Sequence, residues 1–332
     1  AFQGFTIMAW IYPTTPNKGH QALISQWQDN PAAGFELLLD DSGALCLRVG
    51  DGEGTVVELS TAEPLAERRW YLVSGSYDAT TGEIQVCQRP DNSTLEPLRS
   101  ASASIDCDGF AVAESELVFA ASRSGTGGSG FSAHFNGKMD RPRLASAALK
   151  ESDILSAATV DSPCDHFSSL LAAWDFGRDA GTDLVTDTGP LGLHGSTLNL
   201  PSRACKGYNW SGREQDFKRA PDEYAAIHFH DDDLYDANWD TDFEYRIPSD
   251  LKSGVYAARL RTDHDESYVT FFVRPATGRP TAKLAFLAST VTYMAYANYQ
   301  WHVNQRFAEV TECFWTTLEK TDLFLREPVS YT

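Results

Sequence analysis

Residues 68–87, RRWYLVSGSYDATTGEIQVC, decide how the first half of the chain folds. Trp70–Tyr77 and Glu83–Cys87 are short β-prone runs, and Ala79-Thr80-Thr81-Gly82 between them carries the turn chemistry of a hairpin. Upstream, Phe5–Tyr12, Ala22–Trp27, Phe35–Leu39 and Ala44–Val49 repeat the pattern, punctuated by Asp40-Asp41-Ser42-Gly43 and Gly50-Asp51-Gly52. Short strands at this spacing predict a two-sheet sandwich over residues 1–158.

The order of these pieces resembles a laminin-G or concanavalin-like jelly roll. FTIMAWIYP at 5–13 opens it, the 68–87 hairpin follows, and FNGKMDRPRL at 135–144 closes it. That resemblance implies a fold that often binds carbohydrate at calcium-bearing loops. No tight acidic loop is present to hold such an ion, so a structural or docking role is expected of this unit. The GTGGSG run at 125–130 lacks a following helix and a Lys-Ser/Thr pair, and reads as a loop without phosphate-binding function.

Composition narrows the function classes. The 332 residues are 42% hydrophobic, enough for two or three cores, and carry a net charge of −19 from 46 acidic and 27 basic side chains. Such a chain is expected to bind neither nucleic acid nor an anionic membrane, since both would repel it. No apolar run approaches the roughly 20 residues of a membrane span, and the N-terminus lacks the basic-then-apolar order of a signal peptide. Six widely spaced cysteines without a C-x-x-C pair fit neither a zinc knuckle nor a disulfide framework, and a soluble protein of the cytoplasm is expected. The sequons at Asn92 and Asn209 would then stay bare. The abrupt strand at the start and the uncapped end after Pro328 read as a fragment.

A second unit is expected over 159–280. Leu170–Phe176, Tyr224–His230, Phe243–Pro248, Gly254–Leu260 and Tyr268–Val273 read as strands, with Asp187-Thr188-Gly189-Pro190 as a turn, and predict a small immunoglobulin-like β-sandwich. Within it, His228-Phe229-His230-Asp231-Asp232-Asp233 is the segment richest in ligand chemistry. On a strand the two imidazoles share a face and could share a metal. No third ligand is placed by spacing, and a run of adjacent aspartates usually faces water, so the favoured reading is a strand end whose aspartates cap backbone amides and orient the imidazoles. His134, His166, His194 and His264 stand alone in loops.

The third unit, 281–332, opens with KLAFLASTVTYMAYANYQW at 283–301. Leu284–Leu287 reads as a buried strand leading into a loop with Tyr293, Tyr296, Asn298 and Tyr299. Such tyrosines can give phenolate oxygens to a trivalent metal, stack on a planar substrate, or fill a core. Val303, Phe307, Val310, Phe314 and Leu318 then form the stripe of an amphipathic helix, so this unit reads as the start of an α/β domain. The whole is mainly β and multidomain.

AAIHFHDDDLYD at 225–236, LKSGVYAARL at 251–260 and TYMAYAN at 292–298 resemble the large subunit of the N,N-dimethylformamidase family. That resemblance covers essentially the whole chain. It implies an amidohydrolase of N-substituted formamides with a mononuclear ferric iron, Fe3+, held by two tyrosines and a glutamate. It also implies hetero-oligomeric assembly with a small helical subunit and further copies of the large subunit, and a small amide substrate. By the same resemblance Tyr296 is the first iron ligand, with Tyr293 as the alternative, and the remaining ligands and the catalytic acid/base residues are expected beyond Thr332. The rival reading is a non-catalytic carbohydrate-binding or scaffold protein built from two sandwiches.

Overall fold

The computed structural model describes residues 4–105, 111, 113–123, 130–159, 168–232, 240–264 and 266–292. They form two units, one ending at Asp232 and the other beginning at Asp233. The first unit begins with strands β1 (Gly4–Pro13), β2 (Gln21–Asp29), β3 (Ala32–Leu39), β4 (Ala44–Asp51), β5 (Val56–Pro64), β6 (Tyr71–Asp78), β7 (Glu83–Pro90) and β8 (Arg99–Ser104). The short pieces β9 (Val118–Phe119), β10 (Ser122–Arg123) and β11 (Phe131–Ser132) follow, then β12 (Gly137–Ala145) and helix α1 (Glu151–Ala157). Strands β13 (Leu170–Asp175), β14 (Leu184–Asp187), β15 (Gly195–Ser196), β16 (Ser202–Cys205) and β17 (Ala226–Phe229) complete it.

Two sheets face each other. One runs β15-β14-β13-β12-β1-β6-β7-β8, with β17 also on β12 and β16 on β17; the other runs β5-β4-β3-β2-β9. Between them lies the core, with Phe5, Ile7, Ala9 and Ile11 of β1 against Leu37, Leu39, Leu45 and Leu47 of the opposite sheet. Strand β1 is buried on both faces, which is why its sequence is apolar nearly throughout and not strictly alternating. Met8 and Trp10, on its other side, are covered by Ile154 and Ala157 of α1 and by Ala158. The 68–87 hairpin forms as expected: β6 and β7 pair from Tyr71↔Pro90 to Asp78↔Glu83. Asp78 Oδ1 accepts the Thr80 N–H across the turn at 2.8 Å, and Gly82 takes φ 68, where a Cβ would lie 2.5 Å from the Ile105 carbonyl oxygen.

The sandwich is thus mainly β and concanavalin-like, but the first unit does not stop near residue 158. Strands β13 and β17 both bond to β12, so residues as far as Asp232 complete the first sheet. This corrects the expected immunoglobulin-like sandwich over 159–280, whose strands are divided between the two units. Among the described residues, the second unit contains one hairpin, β18 (Gly254–Arg261) with β19 (Glu266–Val273), paired without a register shift. Residues 243–248 form no strand, and Phe243, Tyr245 and Ile247 are exposed. The expected buried strand Leu284–Leu287 is also corrected. It has no strand pairing, and Leu284, Phe286 and Leu287 are 90%, 78% and 94% exposed. An apolar run becomes a strand only where a neighbour pairs with it and a layer covers it, and no described residue does either here.

Candidate functional site

Tyr296 and Tyr293, the tyrosines expected to bind iron, lie outside the described residues, as do the helical stripe from Val303 to Leu318 and Asp233. Among the described residues no three His, Cys, Asp or Glu side chains converge as a metal site. The described part of the expected site is the His228–Asp232 segment and the surface on which it sits.

That surface is the outer face of the larger sheet. Across β1, β12, β17 and β16 the partners run Tyr12↔Lys138, Lys138↔His228 and His228↔Ser202. Residues directly opposite one another share a face, so Tyr12, Lys138, His228 and Ser202 form one row pointing away from the core. Met139, Ile227 and Phe229, one position along, point into it. His228 and His230 lie on the same face, ring centroids 5.4 Å apart and inclined by 50°. The Lys138 ammonium sits 5.2 Å from the centre of the Tyr12 ring. Burial lowers its pKa; the neighbouring Cys205 acts against that shift and Lys206 adds to it.

Asp231 is exposed at the strand end, but the partner of its carboxylate is a lysine and not the backbone amide of the second reading. Its carboxylate pairs with Lys18, while its N–H donates to Asn136 Oδ1 at 2.9 Å. Asn136 N–H in turn donates to the buried Gln21 Oε1 at 3.1 Å, so the strand end is anchored to the start of β2. Burial alone would raise the Asp231 pKa, but the hydrogen bonds and charge of Lys18, with Asn136 and His134, lower it overall.

A second cluster on this face has no counterpart in the sequence reading. Between β1 and β12 the register slips, Met8 facing Arg143 and Trp10 facing Asp140, so β12 carries one extra residue. Arg141 takes up that bulge at φ 49. Neighbours on a strand normally point to opposite faces; the bulge lets Asp140 and Arg141 pair, with Arg141 Nη1 at 3.0 Å from Oδ1 and 3.2 Å from Oδ2. Arg141 Nη2 also donates to the Asp222 carbonyl at 3.2 Å. Its guanidinium lies 5.4 Å from the Tyr208 ring centre, and Tyr208 stacks on Trp10 at 4.2 Å and 4°. Gly207 lets the backbone approach, since a Cβ there would meet Asp140 Oδ2 at 2.6 Å. Burial pushes the Asp140 carboxyl up to about 6, against the pull of Arg141 and the Tyr208 N–H. Two adjacent charges inside the strand KMDRPRL were the one available signal for this cluster. Its effect is positional: it seals the 207–224 connector against the sheet and thereby fixes where β17 and its histidines emerge.

Residues 202–325 match the family model described as N,N-dimethylformamidase beta subunit-like, C-terminal, and residues 1–87 match the concanavalin A-like lectin/glucanases superfamily. The first of these matches begins at β16, inside the first structural unit. The N,N-dimethylformamidase beta subunit of an Alcaligenes species is 33% identical over 98% of this chain and 45% of its own length. That of Paracoccus aminophilus is 35% identical over 89% of this chain and 41% of its own length, so the chain spans less than half of either relative. Among solved structures, the CBM40 of the Ruminococcus gnavus IT-sialidase aligns with a TM-score of 0.38 at 14% identity, over 48% of this chain and 85% of that one. Over the residues it spans, the chain is similar to the beta subunits of N,N-dimethylformamidase.

Proposed function

We propose that this chain is part of the large subunit of an iron-dependent amidohydrolase that cleaves N-substituted formamides, N,N-dimethylformamide giving formate and dimethylamine. The observation that carries this is identity of 33% and 35%, over 98% and 89% of the chain, to two proteins named N,N-dimethylformamidase beta subunit. A beta subunit implies another chain, and the reading includes a small helical partner. In this proposal Tyr296, or Tyr293, gives a phenolate oxygen to ferric iron. Phenolate and carboxylate are hard anionic donors suited to that ion, and the described His228–His230 pair is not required for it. Bound iron would supply Lewis acidity toward the amide carbonyl and toward water. The described residues contribute a platform: the Asp140–Arg141–Tyr208 cluster and the Asp231–Lys18 pair hold the segment leading out of the first unit. Three described cysteines, Cys46, Cys87 and Cys205, are unpaired, in keeping with the proposed cytoplasmic setting.

The test is to produce the complete polypeptide with its partner subunit and follow amine and formate release from N,N-dimethylformamide alongside iron content. Release of both products by an iron-bearing assembly supports the reading. A folded, iron-free protein that binds glycans and releases neither product would favour the rival scaffold reading.

A further inference from the structure

On the outer face of the larger sheet, half-buried Lys138 stands between Tyr12 of β1 and His228 of β17, its direct partners on either side. Among the described residues no hydrogen bond or ion pair reaches its ammonium, which rests 5.2 Å from the Tyr12 ring centre. Lys18, by contrast, is matched by Asp231. The groups whose charge acts on Lys138 are the Cys205 thiol and the Lys206 ammonium, and no carboxylate is among them. In a chain of 46 acidic against 27 basic side chains, two neighbouring lysines without a carboxylate run against the average. Taking a charge partly out of water is unfavourable, and a counter-ion offsets that cost.

Beyond Tyr12 the row continues in Trp70. The two rings are 5.4 Å apart and inclined by 52°, and both are partly exposed. Two positions along the strands, Gly207 lies against Asp140 and Tyr208 stacks on Trp10, so the connector walls the row on that side. The result is a ledge that is cationic at one end and aromatic at the other.

We propose that this ledge binds a carboxylate with a flat apolar body, the carboxylate at Lys138 and the body against Tyr12 and Trp70. The ammonium gives one charge-assisted hydrogen bond to an anionic oxygen, and the aromatic rings cover the body. A dianion such as phosphate is better held by a guanidinium fork or a nest of backbone N–H groups, and the Arg141 fork is already engaged by Asp140. The two ammonium groups reject an organic cation. The inference is independent of the amidase reading.

The test uses the complete polypeptide with its partner subunit, its lysines labelled by reductive 13C-methylation and followed by NMR. Either Lys138→Arg or Lys138→Gln assigns the Lys138 signal by its absence. Benzoate should shift that signal saturably, at concentrations at least about tenfold below those required of formate, which lacks the body, or of benzamide, which lacks the charge. Trp70→Ala should bring benzoate toward the level of formate and leave formate unchanged. A Lys138 signal that stays in place, or that moves alike for all three probes, would overturn the proposal, as would undiminished benzoate binding in folded Trp70→Ala. Because the lysine itself is the readout, the result is separate from whether the assembly hydrolyses amides.

Discussion

Asp140 and Arg141, adjacent in sequence on a β-strand, hydrogen-bond to each other at 3.0 Å, and both are buried. A single bulge residue makes this possible, and the pair ties the 207–224 connector to the sheet through the Asp222 carbonyl and the Tyr208 ring. Within the first unit, the lectin-like strands and residues 202–232 of the matched segment are therefore one packed structure.

Asp140→Asn leaves the Arg141 guanidinium buried without its counter-charge. Breaking a buried pair on one side costs about 3–5 kcal/mol. Urea unfolding of the variant should show a loss of that order, with earlier proteolytic cleavage inside 207–224. A variant as stable as wild type would show that the pair is not what holds the connector.

Asp187 accepts backbone N–H bonds from Ala173 at 2.7 Å, Gly189 at 2.7 Å and Leu193 at 2.6 Å, and its side chain is buried. Asp187→Ala strands three donors at once, each such bond to a charged group being worth roughly 1.5–3 kcal/mol. A destabilisation of at least about 3 kcal/mol is expected in urea unfolding, larger than for Asp232→Ala, which alters an exposed side chain.

Glu36 is 1% exposed on β3, its Oε2 3.3 Å from His20 Nε2 and 3.5 Å from Arg48 Nη1. Burial would raise its pKa, but the hydrogen bonds from His20 and Ser122 and the charges of His20 and Arg48 lower it overall from 4.5. A carboxylate with a depressed folded pKa contributes stability that is present above its unfolded pKa and lost as pH falls through the folded value. The stability gap between wild type and Glu36→Gln should therefore be widest above about pH 5 and narrow steadily below about pH 4.5. Parallel stability curves for the two proteins across that window would contradict this.

The sandwich was legible because its long strands carry β-prone runs and its turns carry Gly, Asp and Thr at the required positions; β2, β3, β4, β6 and β7 fall where the sequence places them. Strand β8 escaped notice because RSASAS has no apolar period, and only its pairing with β7 makes it a strand. Strands β13 and β17 were visible as strands, but their assignment to a separate sandwich failed. Their partner β12 is the chain's earlier closing strand, and local sequence does not encode which sheet a later strand joins. Leu284–Leu287 shows the converse: an apolar run fixes a preference for burial and not the cover that would satisfy it. At the site, the shared face of His228 and His230 followed from the strand period. The Asp140–Arg141 pair did not, because a bulge breaks that period.

Tyr296→Phe removes the phenolate proposed to hold iron while keeping the ring. Metal analysis of the complete assembly should show iron falling to a small fraction of the wild-type content, with Tyr293→Phe retaining it. Full iron content in Tyr296→Phe would remove that residue from the ligand set.

The most direct measurement is product release from N,N-dimethylformamide by the complete polypeptide assembled with its partner subunit. The account predicts formate and dimethylamine in equal amounts, abolished when iron is withheld and restored when it is returned. A folded, iron-loaded assembly that leaves N,N-dimethylformamide and other N-substituted formamides intact would contradict it.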